Sequence, residues 1–311
     1  MHLAVVGAGA LGRVYGVRLA RETQVGVTFV VRPSRLAERG AFVIQRVDDE
    51  GREDRLAAPV RTAEVPAHAD VVMVCVRVEQ LDDRLMETLG HDEGPPIVML
   101  TPMMPQDYER LRARFGTRIV AAMPGVVSYM NSMGVVRYWL PRLAPTLLDE
   151  AAGGAPAVLV DLARSLGVAG MRARLVMGVH ESNPATTVTF IPLTMALDAA
   201  GGIDALLGDK GLLDVALAAA AEGQALARKI GKVAAWATVL TRFLGHRTLK
   251  IGVGLARHHS PEGVSYVEEH FGRKLHAQNV VMARAIVELA AAKGTPHEAL
   301  DELSARLERV A

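Results

Sequence analysis

Three glycines within six residues, Gly7-Ala8-Gly9-Ala10-Leu11-Gly12, follow the apolar run Leu3-Ala4-Val5-Val6 near the start of the chain. They precede Arg13 to Arg21, where Val14, Val17, Leu19 and Ala20 supply helical apolar surface. A strand, this loop and a helix together make a cradle for a pyrophosphate. Gly7 permits the tight turn, Gly9 lets backbone reach an anion, and Gly12 lets helix and strand pack closely. The helix start, with Ala10 and Leu11, offers unpaired N–H groups to the phosphates. About 20 residues past the last glycine, dinucleotide sites carry an acid for the ribose or an arginine for a 2′-phosphate. Here the run Val25–Val31 ends in Arg32-Pro33-Ser34-Arg35, with no Asp or Glu. Two guanidiniums and a hydroxyl match a phosphate, because arginine is a fixed fork of donors. The expected cofactor is NADP, bound as NADPH by Gly7, Gly9, Ala10, Leu11, Gly12, Arg32 and Arg35.

Groups able to move a proton are the second theme. The chain holds ten histidines, and its first lysine is Lys210. Histidine, with an unperturbed pKa of about 6.5, is a side chain that can donate a proton near neutrality. The single Cys75 lies inside Val71-Val72-Met73-Val74-Cys75-Val76 and reads as a buried structural thiol. With no second cysteine there is no intrachain disulfide, which fits a reducing cytoplasm. No Cys and His cluster has zinc spacing, so no metal is expected.

The elements that position these groups follow from the apolar pattern. A chain of 311 residues, 50% hydrophobic and 22% charged, can bury a large core and divide into two domains. A net charge of +1 gives no general attraction to nucleic acid or to a membrane surface. No apolar stretch reaches membrane-spanning length. The fold starts at residue 2, leaving no room for a leader, so a cytoplasmic location is expected. Strands are predicted at Leu3–Val6, Val25–Val31, Val71–Val76, Ile97–Leu100 and Ile119–Met123, with more around Gly40–Arg46 and Val135–Leu140. Helices are predicted at Arg77–Leu89, Gln106–Phe115 and, as the last element of the first domain, Ala157–Leu166. This alternation specifies an α/β fold, a Rossmann-type doubly wound parallel sheet. Beyond it, alanine- and leucine-rich helices are predicted at Pro184–Ala200, Leu212–Ile230, Ala234–Leu244 and Leu275–Ala292. The expected division is an NADP-binding domain over 1–177 and an all-helical substrate and dimerisation domain over 178–311.

Several fragments in order resemble the ketopantoate reductase family. They are the glycine loop, Val76-Arg77-Val78-Glu79-Gln80, Pro124-Gly125-Val126-Val127, Pro192-Leu193-Thr194 and Gly272-Arg273. The resemblance implies a Rossmann domain followed by a helical domain, NADPH in the cleft between them, reduction of a 2-keto acid, and a homodimer. It places Arg77 where the family has a strand-end lysine and matches Gln80 to its glutamine, so both are expected at the cofactor. Pro102 stands where the family has an asparagine.

The same resemblance puts Asn183 where the family has its proton-donating lysine, and Thr187 where it has an asparagine. An amide has no proton to give in the useful range, and Asn183-Pro184 reads as a helix N-cap followed by proline at the first helical position. The family glutamate that binds the substrate hydroxyl falls on His276 or, counted from Gly294, on Gln278. His180, three residues before Asn183, and His276 are the candidate acids, with Lys250 as a competitor. Three functions stay open: reduction by NADPH of a 2-keto acid other than ketopantoate, an opine- or imine-type dehydrogenase using His180, and an NADP-binding sensor or accessory protein without catalysis. The substrate is a small molecule in the first two.

Overall fold

The computed structural model describes residues 1–47, 52–90, 93–141, 144–150, 154–233, 238, 244–259 and 261–310. They form two compact units, Met1–His180 and Glu181–Ala311.

In the first unit the apolar run of β1 (His2–Val6) lies at the centre of a sheet, with Leu3, Ala4 and Val5 fully buried. Its neighbours are β2 (Gly26–Val30) on one side and β6 (Val71–Val74) on the other, both parallel to it. The sheet extends past β2 to β5 (Val60–Thr62), and past β6 to β7 (Ile97–Met99) and β8 (Ile119–Met123). Beyond β8 come β11 (Thr146–Asp149), antiparallel to β8, and β12 (Ala173–Val176), parallel to β11. The chain thus builds outward from β1 in one direction and then in the other. In open α/β sheets the crevice at the carboxyl ends of the strands flanking such a reversal is where ligands bind.

A second sheet, of order β4-β3-β10-β9, was not foreseen as a separate layer. It contains β3 (Phe42–Arg46), β4 (Glu53–Leu56), β9 (Val127–Met130) and β10 (Val136–Trp139). Helix α1 (Ala10–Glu22) packs against both sheets, which is why even Arg13 and Arg18 on it are buried. Arg18 meets the buried Asp54 of β4 at 2.8 Å and donates to the Ala169 carbonyl, so its charge is paired inside the layer.

Two local expectations are corrected. The segment 77–89 is a short 3-10 turn, Val78–Gln80, followed by α2 (Asp83–Thr88), because the Asp82 carboxylate accepts the Leu85 N–H at 2.9 Å and starts a new helix. Helix α4 (Ala157–Val168) does not end the unit, since β12 follows it and pairs with β11. Helix α3 (Pro105–Phe115) has proline at its first position, where a missing N–H costs nothing.

The described elements of the second unit are helical. They are α5 (Val179–Ala200, which begins two residues before the unit boundary), α6 (Ile203–Gly208), α7 (Lys210–Ile230), α8 (His246–His259), α9 (Pro261–Val267), a π-helical turn at Glu268–Lys274, α10 (His276–Ala292) and α11 (Glu298–Glu308). The expected helix at 234–244 lies almost wholly outside the described residues. Carboxylates start several of the helices: Asp209 caps α7 through the Leu212 N–H, and Glu222 accepts the Ala299 and Leu300 N–H groups of α11. Helix α5 contains Pro192, which leaves the Val188 carbonyl without its intrahelical donor. A Cβ on Gly223 of α7 would lie 2.4 Å from that oxygen, so glycine permits the backbone of α7 to cover it. Among the described residues no helix is long and apolar enough to cross a membrane.

Candidate active site

The glycine loop meets each demand of a phosphate cradle. Gly7 has φ +98°, a conformation L side chains rarely adopt, and a Cβ there would come within 3.0 Å of the Cys75 carbonyl. A Cβ on Gly12 would fall 2.0 Å from the Gly7 oxygen, so the first turn of α1 sits directly on the loop. Around Gly9 a Cβ would meet nothing within 4 Å: this is the open face. The first bond of α1 runs from the Arg13 N–H to the Gly9 carbonyl, leaving the N–H groups of Ala10, Leu11 and Gly12 without intrahelical acceptors. Arg13 braces the loop from the side, donating to the Ala8 carbonyl at 3.0 Å and the Gly134 carbonyl at 3.2 Å. These residues fit a dinucleotide pyrophosphate.

At the end of β2 the chain turns through a 3-10 helix, Pro33–Arg35. Arg32 is exposed there, and its side chain makes no hydrogen bond or ion pair among the described residues. Arg35 is engaged instead by Glu38, at 2.7 and 3.0 Å through two nitrogens.

After β6, Arg77 and Gln80 share one turn. The Arg77 N–H donates to Gln80 Oε1 at 3.2 Å, and the Arg77 guanidinium pairs with Glu79 at 2.8 Å. The Thr101 hydroxyl donates to the Val76 carbonyl at 2.8 Å, tying the loop after β7 to the loop after β6. Gly125, after β8, approaches the 144–146 backbone so closely that a Cβ would lie 2.3 Å from the Thr146 nitrogen. Burial pushes the Cys75 thiol far up, which removes it as a nucleophile.

His180 is held by a carboxylate of the first unit. Its Nδ1 lies 2.5 Å from Asp149 Oδ2. Asp149, at the end of β11 and nearly buried, also accepts the N–H groups of Gly178 and Val179 on Oδ1 and of His180 on Oδ2, at 2.9, 3.0 and 3.2 Å. One carboxylate therefore starts α5 and orients the first imidazole on it. The His180 ring stacks on Tyr108 of α3, with centroids 5.3 Å apart and an interplanar angle of 16°. The Tyr108 phenol is pushed up, first by burial and then by the Asp149 charge. An imidazole that donates Nδ1–H to a carboxylate can exchange its other proton at Nε2, so the arrangement is one that general acid–base chemistry can use.

This geometry corrects the reading of Asn183. Because Asp149 supplies the cap, α5 begins at Val179, and Asn183 and Pro184 lie inside the helix. Asn183 is 5% exposed and its Oδ1 accepts from the Thr187 hydroxyl at 3.3 Å, a packing role one turn along the same helix.

His276, the first residue of α10, has a carboxylate of its own in the second unit. Its Nδ1 lies 3.0 Å from Asp198 on α5, and Asn279 donates to the same oxygen at 2.9 Å and to the Phe271 carbonyl at 3.0 Å. Among the described residues, His276 Nε2 is buried without a hydrogen-bond partner. Gln278, the other residue matched to the family glutamate, is buried. Lys250 is exposed on α8. Asp149, Tyr108, Asp198 and Asn279 went unseen in the sequence, since the partners of each histidine come from other elements. Among the described residues no three His, Cys, Asp or Glu gather as a metal site.

Residues 3–138 match the family model described as Ketopantoate reductase PanE/ApbA. No curated protein matches the chain in sequence. Among solved structures, a 2-dehydropantoate 2-reductase from Geobacter metallireducens GS-15 superposes with TM-score 0.73 at 19% identity, covering 100% of both chains. A dimeric ketopantoate reductase from Staphylococcus aureus gives TM-score 0.69 at 13% identity, over 99% of this chain and 98% of that one. A D-mandelate dehydrogenase, solved with NADH and anilino(oxo)acetate, gives TM-score 0.66 at 17% identity, over 99% and 98%. At these identities the structures share the fold.

Proposed function

We propose that this ketopantoate reductase-like chain is an NADPH-dependent oxidoreductase that reduces the keto group of a 2-keto acid other than ketopantoate, with His180 as the proton donor. The observation that carries this is the presence, in one unit, of a complete phosphate cradle and an imidazole ordered by a nearly buried carboxylate. Gly7, Gly9 and Gly12 with the free N–H groups of α1 hold the pyrophosphate, Arg32 and Arg35 the 2′-phosphate, and Arg77 and Gln80 line the turn beside the loop. Bound there, the reduced nicotinamide supplies a hydride to a carbonyl carbon. The protein's task is to deliver a proton to the carbonyl oxygen, and protonated His180 does so from Nε2 while Asp149 balances the charge on the ring. The same acid serves reduction of an imine. The positions matched to the family's lysine and glutamate hold Asn183 and His276 or Gln278, which argues against ketopantoate itself. A homodimer accords with Ile251 and Leu255 standing 63% and 56% exposed on α8.

Calorimetry with NADPH and NADH, followed by turnover on a panel of 2-keto acids with and without amines, tests the assignment. NADPH is expected to bind more tightly, and Arg32→Ala to erase most of the preference, since one charged contact to a phosphate contributes about 1.5–3 kcal/mol. Equal affinity for the two cofactors removes the NADPH assignment. Ordinary turnover on ketopantoate removes the substrate assignment, and tight NADPH binding with inertness on every substrate favours a sensor.

A further inference from the structure

Around the turn that follows β2, three guanidiniums face one carboxylate. Arg35 donates to both oxygens of Glu38, at 2.7 and 3.0 Å. Arg61, on β5 beside β2, donates to the Gly40 carbonyl at 3.0 Å. The Arg61 and Arg13 guanidiniums lie 4.6 and 4.2 Å from the centre of the Phe42 ring, which Phe29 holds edge-on at 4.8 Å. Arg61 is thus kept in place by an aromatic face and a backbone carbonyl, with the rest of its fork uncommitted among the described residues. The groups share one field. Burial, and then Arg35, pulls Arg13 down, while Glu38 is held low first by its hydrogen bond from Arg35 and further by Arg13 and Arg61. Arg13 is tied to the Ala8 and Gly134 carbonyls and acts on position. The excess positive charge therefore belongs to Arg35 and Arg61.

We infer that Arg61 is a further ligand of the 2′-phosphate and that Glu38 is an internal competitor, a carboxylate held by Arg35 that the phosphate displaces on binding. The inference rests on the NADPH reading above and adds to it the residues that set the strength of cofactor discrimination. A phosphate offers more charge and more acceptor oxygens than a carboxylate to the same guanidinium fork, so exchange at Arg35 favours the phosphate. Glu38, released, remains as a like charge nearby and lowers the affinity of any 2′-phosphorylated nucleotide. A nucleotide lacking that phosphate leaves the Arg35–Glu38 pair undisturbed.

The test is calorimetric titration of the full chain and its variants with NADPH, NADH, 2′,5′-ADP and 5′-AMP at low and moderate salt. Glu38→Gln is expected to tighten 2′,5′-ADP by about 3–10-fold, an advantage that shrinks as salt screens the charge, with 5′-AMP unchanged. Arg61→Gln is expected to weaken 2′,5′-ADP about tenfold with NADH unchanged, as for the loss of one charged contact. Arg61→Lys keeps the cation on the Phe42 face but not the fork; it is expected to give a smaller loss, and it carries the test if the glutamine variant melts early. Wild-type affinity for 2′,5′-ADP in both the Glu38 and the folded Arg61 variants overturns this inference while leaving the NADPH reading intact. A wild-type protein that binds neither NADPH nor 2′,5′-ADP overturns both.

Discussion

Replacing Gly9 and Gly12 separately by alanine should split stability from cofactor binding. Gly9 has φ −76° and ψ −167°, ordinary for any residue, and an added Cβ there meets no atom within 4 Å. Gly9→Ala should therefore leave the fold intact and, by restricting the unfolded chain, add about 0.4–1 kcal/mol. The new methyl group stands where the pyrophosphate must approach the N–H groups of Ala10 and Leu11. Losing one charge-assisted hydrogen bond costs about 1.5–3 kcal/mol, or roughly 10–150-fold in Kd. Gly12→Ala is the reverse case. Its Cβ would lie 2.0 Å from the Gly7 oxygen and 3.1 Å from a Val5 methyl, so α1 must retreat from β1, and such overpacking costs about 1–3 kcal/mol. Urea denaturation and NADPH titration of the two variants give four numbers with a fixed pattern: stability kept and affinity lost for Gly9→Ala, both lost for Gly12→Ala. A Gly9→Ala protein that binds NADPH as well as the parent refutes the assignment of that face to the phosphates.

The remaining predictions concern histidines. His180→Gln should lower kcat by about 10²–10⁴-fold and leave NADPH affinity unchanged. Asp149→Asn should lower kcat and also destabilise the fold by about 1.5–3 kcal/mol, because one of its oxygens ceases to accept from His180; full activity of the His180 variant dismisses the mechanism. His2 titrates below its ordinary value of 6.5, through burial first and then His68, whose ring meets it edge-on at 4.3 Å. Since the unfolded chain then binds the proton more readily, stability is full above about pH 6.5 and declines as pH falls through the folded value. His68→Gln should reduce that decline, measured as the difference in urea midpoint between pH 7.5 and 5.5, and an unchanged difference rejects the coupling.

The geometry of the glycine loop was legible because it is local: the turn, the open face and the close helix approach are each dictated by a glycine at a set spacing within one strand–loop–helix unit. The central strands were equally plain as short apolar runs. The surroundings of the two candidate histidines were only half legible. His180 and His276 could be singled out by position, but Asp149 lies 31 residues before one and Asp198 lies 78 before the other, and no spacing rule connects them. The Asn183-Pro184 pair misled for the same reason. A cap followed by proline is a sound local signal, yet a carboxylate arriving from β11 started the helix earlier, and the tertiary contact prevailed. The second sheet escaped notice because β4 is a polar strand, Glu53–Leu56, paired only with β3.

Pro192 and Gly223 meet at one carbonyl oxygen, that of Val188, and their replacements are expected to be coupled. The proline withdraws a donor from the Val188 carbonyl, and only a residue without a side chain lets α7 shelter the exposed oxygen. Related chains drifting at either place are expected to drift at both: a bulkier residue at 223 is tolerable once 192 regains an N–H and the carbonyl turns back into its own helix. A library that randomises position 223 alone should return glycine almost exclusively, whereas one that randomises 192 and 223 together should open a second family of solutions.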